Sequence, residues 1–181
     1  MPPLGPLVVL TGPSGAGKST LCRRVVAVLH ERGANVRGLL TELRRGEDGR
    51  PAGIDIGNAA TDARRPLAEW DTPTGGPVVG RWHFHTEAFH EGLEWCAGLG
   101  AGTLLVIDEL GPLELVEGAG WAPLLPVVRD HSGPALVVVR PALVAAFTAR
   151  MPGRSLVIVE IDPPARDRAA AAVFRALGLQ V

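Results

Sequence analysis

Three runs of unbroken aliphatic residues punctuate the chain: Leu7-Val8-Val9-Leu10, Leu104-Leu105-Val106-Ile107 and Ala135-Leu136-Val137-Val138-Val139. Apolar runs of this length without alternation predict strands buried on both faces, and such strands belong to a parallel sheet covered by helices on either side. Leu156 to Ile161 reads as a last buried strand of the same kind. Between the runs the period becomes helical. Leu21, Val25, Val28 and Leu29 share one face until Gly33 supplies a stop; Phe89, Leu93 and Cys96 do so after Thr86, read as a cap, with Gly98 to Gly102 as the end. Arg166 to Leu177 predicts a terminal amphipathic helix, and Trp121 to Asp130 a helix that Pro123 and Pro126 bend or delay.

Elsewhere the pattern is antiparallel. Val36 to Leu43 and Pro51 to Gly57 flank Gly46-Glu47-Asp48-Gly49, which predicts a hairpin added to the core. From Asn58 to Gly80 the chain is rich in Pro, Gly, Thr and Asp, and only Pro66 to Trp70 is strand-like there; Val78 to Phe84 reads as one further strand. No internal repeat and no linker interrupts the 181 residues. The expectation is a single α/β domain over residues 1–181, a mainly parallel sheet flanked by helices.

Charge narrows the partners. With a net charge of −1 and no run of five like charges, the chain lacks the electrostatic footprint of a nucleic-acid binder. Nor does it hold 18 uninterrupted apolar residues or a charged start before a long apolar stretch, so we expect no membrane partner and a cytoplasmic protein. Cys22 and Cys96 fall on expected helices with no partner pattern and read as two reduced thiols.

One lysine occurs in the chain, and it stands in Gly12-Pro13-Ser14-Gly15-Ala16-Gly17-Lys18-Ser19-Thr20, the spacing of a phosphate-binding P-loop. The composition replaces lysine by arginine wherever a generic positive charge serves, so Lys18 does what a broad guanidinium cannot: its compact ammonium reaches over the loop to the β- and γ-phosphates. The expected strand before the loop and helix after it complete the binding unit. Glycines let the backbone approach the phosphates, and successive N–H groups at the positive helix end bind the anion. Far downstream, the run ending at Ile107 meets Asp108-Glu109, a Walker B pattern that sets two carboxylates at the carboxyl end of a buried strand, the edge where the P-loop also lies. Asp108 and Ser19 then become the candidates for holding Mg²⁺, and Glu109 is left to orient and deprotonate a water.

Three segments together, Leu10 to Thr20, Gly38-Leu39-Leu40-Thr41-Glu42 and Ile107-Asp108-Glu109-Leu110-Gly111-Pro112-Leu113-Glu114-Leu115, resemble the small nucleoside-triphosphatase family that includes the cancer-related nucleoside-triphosphatase. Gly53-Ile54-Asp55-Ile56, Val79-Gly80-Arg81-Trp82 and Arg166-Asp167 extend the likeness over nearly the whole chain. The resemblance implies a RecA-like P-loop core that hydrolyses ATP, GTP and other nucleoside triphosphates with Mg²⁺. It departs from the family at Leu43, where members usually carry a second acid, at Leu113, where they carry methionine, and in the short Arg140-Pro141-Ala142 segment. These differences bear on base preference and on any lid.

The nucleotide-binding candidates are therefore Gly12, Pro13, Ser14, Gly15, Ala16, Gly17, Lys18, Ser19, Thr20 and Arg166, with Lys18 and Glu109 as the catalytic pair. Arg81 and Arg140 are further cations able to counter phosphate charge. His83, His85 and His90 with Glu91 could present imidazoles to a metal, although a histidine-rich rim is the commoner explanation and Mg²⁺ prefers oxygen. Trp70, Trp82 and Trp121 could stack a base, but a chain without tyrosine also needs tryptophan for core volume. Beside hydrolysis, a nucleotide or small-molecule kinase with Asn58 to Gly80 as its lid, and a nucleotide-dependent switch or partner-binding module, stay open. A Ras-type switch does not, because its guanine-reading Asn-Lys-x-Asp motif needs a second lysine.

Overall fold

The computed structural model describes residues 4–162 and 166–179, with Arg166 described in its backbone alone. Nine strands form one sheet: β1 (Leu7–Thr11), β2 (Val36–Arg45), β3 (Pro51–Asn58), β4 (Arg64–Trp70), β5 (Val78–Val79), β6 (Trp82–Phe84), β7 (Leu104–Leu110), β8 (Ala135–Val139) and β9 (Leu156–Glu160). Their spatial order is β5-β6-β4-β3-β2-β7-β8-β1-β9. From β2 to β9 every pairing is parallel; from β2 to β5 every pairing is antiparallel. Strand β2 changes partner along its length, running beside β7 over Val36–Leu39 and beside β3 from Leu39 onward.

Side chains alternate across the pleat and both faces of the central parallel strands are covered, so their apolar runs are interrupted by polar residues only at the carboxyl ends, Thr11 in β1 and Asp108 and Glu109 in β7. Val8, Leu10, Val106, Leu136 and Val138 face one layer, where Leu21, Val25 and Leu29 of α1 (Lys18–Glu31) meet Val173 and Phe174 of α6 (Arg166–Ala176). Leu7, Val9, Leu105, Ile107 and Val137 face the other, covered by α2 (Thr86–Trp95), α3 (Pro112–Leu115), α4 (Leu124–Asp130) and α5 (Val144–Thr148) through Phe89, Leu113, Leu124 and Phe147. Each such aliphatic removed from water contributes about 1.5–3 kcal/mol. Among the described residues no helix is long and apolar enough to cross a membrane.

Several expectations are corrected. The last aliphatic run is an edge strand, not a buried one: β9 pairs only with β1, and Val157 and Ile158 remain 41% and 52% exposed. Val78 to Phe84 is not one strand but two, because Gly80, at φ +61°, turns the chain back and pairs Val79 with Trp82. Thr86 does not cap α2; His85 holds the cap position and no side chain caps the helix. Helix α4 starts only at Leu124, since Pro126 fits solely in a first turn, where no backbone N–H is needed. The short helices α3 and α5 and the 3₁₀ turn Pro141–Leu143 carry too little periodicity to be read from sequence.

At the amino-terminal edge of the parallel strands Arg154, 5% exposed, spreads its guanidinium over the carbonyls of Val128, Arg129, His131, Gly5 and Gly133. These belong to the end of α4 and to the chain entering β1 and β8. One planar fork thus satisfies carbonyls that helix and sheet both leave unpaired.

Candidate active site

The carboxyl ends of β1, β7 and β8 gather the chemistry. Leaving β1, the chain turns at Gly12, whose φ of +141° and whose position against the Ile161 carbonyl, 2.1 Å from where a Cβ would stand, admit only glycine. Gly17 occupies the cap position of α1 at φ +102°, so the helix opens at Lys18. Pro13, Ser14, Gly15 and Thr20 are exposed along the loop, Ala16 is buried, and Gly17, Lys18 and Ser19 are half-buried. The Lys18 Nζ donates to the carbonyls of Gly12 and Pro13, both at 2.7 Å. Burial lowers its pKa, Glu109 and Asp108 oppose that shift, and Arg140 adds to it.

Ser19 Oγ donates to Asp108 Oδ1 at 3.0 Å, joining the loop to the second motif across 89 residues. Asp108 is 1% exposed, and burial pushes its carboxyl up to about 6 against the pull of its donors. Thr41 supplies two of those donors: its N–H meets Oδ2 at 3.1 Å and its hydroxyl meets Oδ2 at 3.2 Å. Arg23 of α1 donates in turn to the Thr41 carbonyl at 2.9 Å. Sequence reasoning quoted Thr41 only as part of a resemblance and gave it no task. Its task follows from a place just beyond Leu39, where β2 parts from β7, which only the strand pairing reveals.

Glu109 is aimed by a bulge. The β7–β8 register steps from Ile107 opposite Val137 to Leu110 opposite Val139, leaving one extra residue on β7. Glu109 takes φ +99° there, a strained value for a residue with a side chain. Its Oε1 accepts from Arg140 Nε at 2.5 Å. Downstream, the buried Glu114 accepts from the N–H groups of Gly111 at 2.8 Å and Trp121 at 3.3 Å, fixing the turn that follows the two acids. Beside Thr41 lies a cleft of about 200 Å³, lined among others by Arg23, His30, Glu42, Asn58 and Arg64.

The oxygens of Ser19, Asp108 and Thr41 form a hard donor set of the kind Mg²⁺ takes, one carboxylate with the remaining positions left to phosphate and water. No cluster of three or more His, Cys, Asp or Glu residues suited to a metal occurs among the described residues, and His85 lies 3.7 Å from Glu69. The tryptophans are engaged in packing. Trp70 and Trp82 meet edge-to-face with centroids 4.6 Å apart, Arg81 lies over Trp70 while pairing with Asp71, and the buried Trp121 donates Nε1–H to the Phe89 carbonyl at 3.3 Å. Cys22 and Cys96 are free and buried, and burial raises both thiols, Cys96 to about 12. Arg166 begins α6, and its side chain lies outside the described residues.

Comparison with known proteins places the chain in a family. The model of the NTPase family matches residues 7–174. Nucleoside-triphosphatase THEP1 of Hyperthermus butylicus is 35% identical over 136 residues, which is 75% of this chain and 72% of that protein. The corresponding protein of Caldivirga maquilingensis is 37% identical over 108 residues, 60% of each chain, and the mouse cancer-related nucleoside-triphosphatase homolog is 29% identical over 88% of this chain and 84% of its own length. In fold, the human cancer-related nucleoside triphosphatase superposes with a TM-score of 0.76 at 24% identity, covering 96% of this chain and 97% of that one. THEP1 from Aquifex aeolicus gives 0.74 at 21% identity, covering 94% and 98%. A phosphate loop and an acidic pair meeting at one sheet edge are thus found in a chain that the family model matches over residues 7–174, and this chain is a member of the NTPase family, among relatives named nucleoside-triphosphatases.

Proposed function

We propose that this chain hydrolyses the γ-phosphate of nucleoside triphosphates, ATP and GTP among them, with Mg²⁺ held by Ser19 and Asp108 and with Glu109 as the base. The observation that carries the reading is the 3.0 Å hydrogen bond between Ser19 and Asp108, which brings the phosphate loop and the acids into one site. Loop amides from Gly12 to Thr20 bind the triphosphate oxygens, and Lys18 exchanges its two carbonyl partners for the β- and γ-phosphates. When bound, Mg²⁺ offsets the charge on those oxygens. Asp108, costly to ionise while buried, is stabilised as a carboxylate by the donors of Ser19 and Thr41, and a bound Mg²⁺ would favour that form further. Glu109 accepts the proton of a water whose oxygen attacks the γ-phosphorus, while the bond to the bridging oxygen breaks and the diphosphate leaves.

Arg166 is carried as a nucleotide-binding residue on the strength of the resemblance and its place at the start of α6. The parallel strand order supports a RecA-like core with the antiparallel strands as its addition, in one domain over residues 1–181. A nucleotide ligand, without nucleic acid or membrane, in the cytoplasm completes the reading. Against the kinase alternative, Arg64–Trp70 of the Asn58 to Gly80 stretch is built into the sheet as β4, paired on both sides, which leaves less of that stretch to serve as a lid.

The test is phosphate release with Mg²⁺ and each nucleotide, without and with candidate acceptors. Glu109→Gln should keep nucleotide binding and lose about 10²–10⁴ in turnover, the range of a general base. Undiminished hydrolysis by that variant would remove Glu109 from its role, and acceptor-dependent phosphorylation would replace hydrolysis by a kinase.

A further inference from the structure

Strand β8 lies between β1 and β7, so the residue that follows its last position, Val139, stands between the phosphate loop and the acidic pair. That residue is Arg140. Its backbone is fixed at φ −65° and ψ 146° by the proline that follows and by the 3₁₀ turn Pro141–Leu143, whereas its side chain is 59% exposed. The guanidinium is half used. Nε donates to Glu109 Oε1 at 2.5 Å, and among the described residues the two terminal nitrogens have no partner. Its charge is also felt at Lys18, the residue that reaches for the β- and γ-phosphates. An exposed ion pair of this kind contributes little to stability, so holding Glu109 is a poor structural reason for an arginine here. A planar fork whose outer edge bonds to none of the described residues, at the end of a strand flanked by the strands that lead into the phosphate loop and the acids, has a chemical one, because it can take phosphate oxygens in a bidentate manner.

We propose that Arg140 is a catalytic arginine supplied from within the chain: Nε keeps Glu109 in place while the free Nη edge takes the γ-phosphate oxygens as charge builds on them. The base and the phosphate are thereby tied into one array through a single side chain. This inference rests on Glu109 being the base, and the experiment separates the two.

Turnover and the binding of ADP with and without aluminium fluoride, a mimic of the transferring phosphoryl group, are compared in wild type, Arg140→Ala, Arg140→Lys, Glu109→Gln and the double variant Glu109→Gln/Arg140→Ala. Arg140→Ala should lose about 10³-fold in kcat, at the low end of the range for arginine fingers, with KM within threefold. Aluminium fluoride should no longer tighten its hold on ADP, Arg140→Lys should recover less than a tenth of the activity, and added guanidinium at millimolar concentration should restore part of the alanine variant's turnover. In the Glu109→Gln background, removing Arg140 should still abolish the tightening. Turnover of Arg140→Ala within threefold of wild type overturns the proposal, as does a tightening that depends on Arg140 only when Glu109 is present. If Glu109→Gln hydrolyses normally while Arg140→Ala fails, it is the base assignment that falls.

Discussion

Lys18 illustrates how one residue prepares for a ligand. Its ammonium is satisfied by two loop carbonyls at 2.7 Å, so under the proposed function binding a triphosphate would exchange neutral acceptors for charged ones. Such charge-assisted bonds are the stronger kind, and Lys18→Ala should weaken triphosphate binding by about 1.5–3 kcal/mol. Titration calorimetry with a non-hydrolysable analogue reads this directly, and unchanged affinity would dissociate Lys18 from the phosphates. Lys18, Ser19, Asp108 and Glu109 were legible in the sequence because the P-loop and the strand-end acids are local patterns whose spacing dictates geometry. Thr41 was not. Its bonds to Asp108 span 67 residues and exist only because β2 lies beside β7, information that no window of sequence holds. Arg140 could be seen to end a strand, but which group it would meet depends on β8 lying between β1 and β7.

Elements were legible in proportion to how long and how apolar they are. Strands β1, β7 and β8 declared themselves, but β9, of similar composition, could not be told from a central strand because edge position is decided by neighbours. Pro126 marked an interruption, whereas Gly80 was read through as part of one strand; how the chain re-forms around each depends on where a missing N–H or a positive φ fits. Gly38 shows how tightly the elements are matched. It holds φ +133° in β2, and a Cβ there would stand 1.8 Å from the Val106 carbonyl of β7. Gly38→Ala should therefore cost about 3 kcal/mol or more, through strain and a displaced strand pairing. Urea unfolding measures it, and a variant as stable as wild type would mean that β2 can move away from β7 without loss.

For the molecule as a whole, chemistry and cohesion sit at opposite edges of the parallel strands. The carboxyl edge carries the loop, the acids and Arg140; the amino edge is bound together by Arg154, whose fork serves α4 and the approaches to β1 and β8. Arg154→Ala would strand several carbonyls at little exposure and should cost about 2–4 kcal/mol, lowering Tm by roughly 4–16 °C. Turnover at 25 °C should stay within a few-fold of wild type. Thermal unfolding followed by circular dichroism, beside an activity assay, checks both, and an unaltered Tm would deny the clamp. Consecutive in sequence, β1 and β2 are held apart in the sheet by β7 and β8, which are synthesised later. A ribosome that has released only the first six strands has thus supplied the lysine loop without the two strands that separate β1 from β2. The late pair fills the gap between β1 and β2, and β7 brings both carboxylates with it, so under the proposed mechanism a chain that stops short of β7 lacks the acids that hydrolysis needs.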